Sequence, residues 1–258
     1  MSLYIQDIKR SIMTFSFWIG VVLVVLFSYS KYQHGFESAH FVYMINNYGF
    51  IGTLNRVIEA MCNDSIGIPA VIAAVISFGT VTCSEMKNGY IVNELTRINP
   101  KKFIIVRTLS TATIGILIIL IVYLLWFIYA FIVDPNPSVQ ITTKFGSIGV
   151  VYQKSLWGYL LLYALQDILL VSIYSIFSMG VSLISRNKYI GYTVPLIYFL
   201  GREVFGTYLS DDFIFIYAMF PFDIVSSIFE SFSATLFVLP ISLILVFVGY
   251  KQWRHGKW

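Results

Sequence analysis

Residues 83–108 read CSEMKNGYIVNELTRINPKKFIIVRT. This polar stretch stands between two long apolar runs, and the rest of the chain is arranged around it. It carries Glu85, Lys87, Glu94, Arg97, Lys101, Lys102 and Arg107, with a helix breaker at Gly89. Asn99-Pro100 marks a restart, because Asn is a favoured N-cap and Pro a favoured first helical residue. The pattern predicts a short helix over 85–97, a break, and a new helix from Pro100. In the short helix Tyr90, Ile91 and Leu95 share one side, while Glu85, Lys87, Asn88 and Arg97 lie mostly elsewhere. Such a helix suits the end of a membrane bundle, where it offers itself to a soluble partner.

Composition places the flanking runs in a membrane. The 258-residue chain is 58 % hydrophobic and 12 % charged, against about 25 % charged in soluble domains. A soluble fold of this size cannot cover so much apolar surface. The runs are continuous, which argues for helices over the alternating strands of a membrane barrel. Nothing in the charge pattern points to nucleic acid.

Working outward, residues 2–10 set Leu3, Tyr4, Ile5 and Ile8 against Gln6, Asp7, Lys9 and Arg10, the pattern of an interfacial helix. Membrane helices are expected over 12–30, 66–84, Pro100–Val133, Leu156–Ser185, 189–209 and 234–250. A surface helix is expected over 54–62. The third helix is about 50 Å long against a hydrocarbon core of about 30 Å, so its first two turns project beyond the membrane. Pro195 predicts a kink. The segment 210–233 is apolar but broken by Asp211-Asp212, Pro221, Asp223 and Glu230, and its pieces 213–220 and 224–232 are each too short to span. They are expected to dip into the outer leaflet and return.

Six helices put both termini on one side. That side carries Lys9, Arg10, Lys87, Arg97, Lys101, Lys102, Arg107, Arg186, Lys188, Lys251, Arg254 and Lys257, against Lys31, Arg56, Lys144 and Lys154 on the other. By the positive-inside rule both termini are cytoplasmic. No small-x-small cleavage site follows the first apolar run, so it reads as a retained helix. Cys62 and Cys83 are expected at opposite faces and too far apart to pair.

Phosphate-loop, dinucleotide, nucleophile-elbow and zinc-protease motifs are all missing. His34, Glu37 and His40 recur every three residues, but Gly35 among them makes chance spacing the simpler reading. The fourth helix carries a polar stripe: Ser175, Ser178, Ser182 and Ser185 fall within an arc of about 80° of Asp167. A charge at mid-bilayer costs about 3 kcal/mol on insertion scales. The stripe therefore faces either a translocation path or another helix, where small residues permit close packing. Arg202 and Glu203 are the other charges within a span. An Asp167–Arg202 ion pair is expected, the alternative being that Arg202 reaches the headgroups.

The six-helix order and the segment 85–107 together resemble the permease subunits of bacterial ATP-binding-cassette transporters of the type-2 exporter family. The residues that carry the resemblance are Glu85, Gly89, Leu95, Pro100, Lys102 and Arg107. It implies an all-α integral membrane protein, residues 1–258 forming one permease domain. The family's architecture has six transmembrane helices and cytoplasmic termini. To these it adds an N-terminal interfacial helix, a cytoplasmic coupling helix and a re-entrant outer element. It also implies that Glu85, Gly89, Tyr90, Ile91, Glu94, Leu95 and Arg97 couple to an ATPase. The chain is then not an enzyme by itself. ATP and Mg belong to separate ATPase subunits, and a second permease copy or a related permease completes the unit in the lipid of a bacterial plasma membrane. Relatives of this kind export antimicrobial peptides or other amphipathic compounds, or give immunity to them. Two other readings stand beside this one: a stand-alone membrane immunity or interaction protein with no ATPase, and an intramembrane enzyme using Asp167 and Glu203 as its acids.

Overall fold

The computed structural model describes residues 3–34, 67–89, 99–133, 156–208 and 228–254, and among these the protein is entirely helical. Helix α1 is Leu3–Ile12 and α2 is Phe15–His34. Helix α3, Gly67–Ala74, passes through a π-helical turn, Val75–Gly79, into α4, Val81–Lys87. Then come α5, Pro100–Val133; α6, Leu156–Ser185; α7, Lys188–Tyr208; and α8, Ile228–Arg254.

Local chemistry explains the sharpest boundaries. The Asn99 side chain accepts from the Lys101 backbone N–H at 3.0 Å, capping α5 where Pro100 needs no donor of its own. At the other tight corner Arg186 takes a positive φ of 55° and Asn187 caps α7 by accepting from the Tyr189 N–H at 2.9 Å. Both α5 and α6 have the bounds expected from sequence. Helix α7 runs through Pro195.

Two expectations are corrected. Glu85 does not open a separate helix: it lies in the last turn of α4, which ends at Lys87 before Gly89 turns left-handed at φ 70°. The last helix starts at Ile228, not near 234, so the described part of the apolar piece 224–232 is the first turn of α8. The rest of that broken segment, the surface helix at 54–62 and the loop 139–154 lie outside the described residues.

Among the described residues four stretches are long and apolar enough to cross a membrane: Ile68–Lys87, Pro100–Ile132, Leu161–Ser185 and Leu236–Arg254. A fifth is added if the pair Leu3–Ile12 and Phe15–Ser30, bent by 61°, counts as one span. Helix α7, with Lys188, Arg202 and Glu203, is not among them. This is a multi-pass helical membrane protein by length and hydropathy, with four or five candidate spans among the described residues.

Helix α6 is the axle. It packs on α8, α5, α7 and the π turn. Contacts Gly180–Leu245 and Leu183–Gly249 advance together, so α6 and α8 are parallel. Tyr123–Asp167, Gly115–Ser175 and Thr111–Met179 run in opposite directions, so α5 is antiparallel to α6. Ser182–Gly191 and Tyr174–Phe199 make α7 antiparallel as well. One core cluster joins Met86, Phe103, Leu183, Val246 and Tyr250, with Leu3 and Trp253 against it. The two described chain ends therefore meet at one end of the bundle. The outward faces of α2, α5 and α8 carry Leu26, Phe27, Leu124, Ile132, Ile244 and Phe247, the surface that lipid requires.

Candidate functional site

At that shared end α1 folds its charged side inward. A helix places residues four apart on one face, and here Asp7 and Ser11 are both buried. Ile5, Lys9 and Met13 are exposed instead. The partner of Asp7 is Arg107, which is 0 % exposed on α5. Its Nη1 stands 2.9 Å from Asp7 Oδ1 and its Nη2 stands 2.8 Å from Glu85 Oε2. Arg10 also pairs with Glu85. Ser110 donates its hydroxyl to Asp7 Oδ2 at 3.2 Å, and Tyr4 and Thr113 share a hydroxyl–hydroxyl bond at 2.8 Å.

This set joins three segments far apart in sequence: α1, the end of α4 and the start of α5. Two arginines face two carboxylates, so the set is neutral. That balance matters because an uncompensated charge out of water costs several kcal/mol. Arginine suits the place because its flat fork carries two separate donors, one for each carboxylate. The Phe103 ring, one turn earlier, lies 5.3 Å from the guanidinium carbon, within the range of a cation–π contact.

The polar stripe of α6 is buried and meets its neighbours. Asp167 Oδ2 accepts from the Tyr123 hydroxyl at 2.7 Å. Ser175 donates to the Ala74 carbonyl at 3.4 Å and Ser178 to the Gly191 carbonyl at 2.9 Å. Ser182 bonds back to Met179 O at 2.8 Å. Each serine faces a glycine across the interface: Gly115 at Ser175, Gly79 at Ser178, Gly191 at Ser182. A Cβ on Gly79 would lie 2.6 Å from Ser178 Cβ. Of the two roles open to this stripe, the geometry is that of close helix packing.

The residues expected to couple to a partner divide into two groups. Glu85 is drawn into the ion cluster, and Gly89 is exposed at the end of α4. Tyr90, Ile91, Glu94, Leu95 and Arg97 lie outside the described residues. Arg202 and Glu203 belong to α7, but their side chains lie outside the description, and so does the expected Asp167–Arg202 pair. His34 ends α2, while Glu37 and His40 are not described. Cys83 is buried with a free thiol, and Cys62 is not described.

Sequence reasoning placed Arg107 among the projecting cytoplasmic charges and Asp7 on the polar face of a surface helix. Neither was recognised as buried. The available signal was the carboxylate itself, since one aspartate within a short basic helix needs a partner if that face docks. Tyr123 was also missed as the donor to Asp167. Every exposed charge among the described side chains is basic: Lys9, Lys87, Lys101, Lys102, Lys188, Lys251 and Arg254. Comparison with protein-family models, curated proteins and solved structures returned no match.

Proposed function

We propose that the chain is the membrane permease subunit of an ATP-driven exporter and works with a separate ATPase of the ATP-binding-cassette class. In this reading α2, α3–α4, α5, α6, α7 and α8 make six traverses. The parallel run of α6 and α8 supports this, because α7 must then return between them. Its length of about 31 Å matches a hydrocarbon core of about 30 Å. The basic end is cytoplasmic by the positive-inside rule, with α1 beside it.

One observation carries the reading. The connection between α4 and α5 leaves and re-enters the bundle at the basic end, and both of its roots are held by one buried ion pair, Glu85–Arg107. A soluble motor docking on residues 90–97 would push on two spans tied to each other and to α1. The substrate-side chemistry is left to the bundle, where Asp167 and Tyr123 are the buried polar pair on α6 and α5.

The test is co-purification in mild detergent. The parent chain is expected to bring an ATP-binding-cassette ATPase with it. Tyr90→Asp with Leu95→Asp is expected to lose that partner while the permease still inserts. A parent that brings no ATPase favours the stand-alone membrane protein instead.

A further inference from the structure

The π turn in the second membrane stretch, Val75–Gly79, contains no proline, and its one glycine is its last residue. A π turn has poorer local geometry than α-helix and usually marks one residue inserted into an α frame, frequently at functional sites. What holds it here is one local bond and contacts from α6. The Ala74 carbonyl accepts from the Ser77 hydroxyl at 3.1 Å and from the Ser175 hydroxyl at 3.4 Å. Gly79 sits against Ser178. Further along, Glu85 is clasped by Arg107 and Arg10.

We propose that the π turn Val75–Gly79 is a hinge and that the Asp7–Arg107–Glu85 cluster is its lock. Inside an α-helix the π turn is the rarer local geometry, and closing it to α-helix moves every later residue by one helical position. That is a rotation of about 100° and an advance of about 1.5 Å. Ser84 or Met86 would then stand where Glu85 stands, and neither carries a charge. Arg107 loses one of its two carboxylates, and α1 loses part of its charge-balanced seat. The lock thus opposes the rotation because Arg107 gives up one charge-assisted contact in a buried place and Glu85 gives up both of its arginines. Two arrangements of one element follow, one favoured locally and one favoured by its contacts, whatever the protein moves across the membrane.

The test uses spin labels at Lys87→Cys and Lys251→Cys, both exposed at the basic end, with Cys62 and Cys83 changed to serine. Pulsed electron resonance reads the distance between them. A helix with side chains is about 10–12 Å wide, so a 100° turn displaces a surface position by about 8 Å. Glu85→Gln is expected to raise a second distance population displaced by up to that amount. Arg107→Lys, which keeps the charge but loses the fork, is expected to do the same and decides the matter if Glu85→Gln fails to insert. In the same Glu85→Gln or Arg107→Lys chain, deleting Ile76, half-buried in the turn, removes the extra residue and leaves position 85 beside position 107. It is expected to give one population at the parent's main distance. The lock is overturned if the variant used leaves the parent's distribution unchanged. The hinge is overturned if two populations survive the deletion of Ile76.

Discussion

Arg107 shows how a single residue ties sequence-distant segments together. It is wholly buried between Asp7 and Glu85, so its loss takes the arginine from Asp7 and leaves Glu85 with Arg10 alone. Arg107→Gln is expected to destabilise the protein by about 3–5 kcal/mol. Changing Asp7 and Arg107 together to Asn and Gln is expected to cost less than Arg107→Gln alone, because the Arg10–Glu85 pair that remains is neutral. Thermal melting in detergent checks both. Equal melting of parent and Arg107→Gln would show that the cluster contributes nothing. At Asp167, Tyr123→Phe removes a 2.7 Å hydroxyl donor from a buried carboxylate and is expected to cost about 1–3 kcal/mol in the same assay. The sequence shows that these charges exist. It does not show their burial, because Asp7 and Arg107 are one hundred positions apart and their meeting depends on how α1 docks.

Among the elements, α5 and α6 were legible to the residue. Asn99-Pro100 at the start of α5 and the polar Arg186-Asn187-Lys188 turn after α6 are local signals, so no tertiary contact was needed to place those ends. The end of α4 was misread because Glu85 and Lys87 look like the start of a polar segment, while Glu85 is made affordable inside the bundle by Arg107. The π turn was not legible, since much of its support comes from Ser175 and Ser178 on α6. The serine stripe was visible at helical spacing, but its two roles could be told apart only by the glycines facing it. Gly79→Ala places a methyl 2.6 Å from Ser178 Cβ and is expected to cost about 1–3 kcal/mol by overpacking. Ser178→Gly in the same chain is expected to restore most of that loss. A double variant as unstable as Gly79→Ala alone would mean that the strain lies elsewhere.

Over the whole molecule, asymmetry of charge is the dominant feature. The exposed described charges are all basic and collect where Leu3 and Trp253 meet the same core cluster. Cysteines at Lys102 and Lys251 are therefore expected to resist an impermeant thiol reagent applied to intact cells, and a cysteine at Thr143 to react. Reaction at Lys102 and Lys251 from outside would invert the orientation. The multi-pass helical membrane class was readable because long apolar runs survive without any knowledge of packing. Helix α7 is less apolar because it carries Lys188, Arg202 and Glu203.

Docking of a motor on the connection between α4 and α5 is what the proposed function requires. The direct measurement is photo-crosslinking in living cells, with a photoreactive residue placed in turn at Tyr90, at Leu95 and, as the opposite-end control, at Thr143. Positions 90 and 95 are expected to give an adduct with a nucleotide-binding ATPase, and position 143 none. Adducts from 90 and 95 that contain only lipid or a second copy of this chain would contradict it.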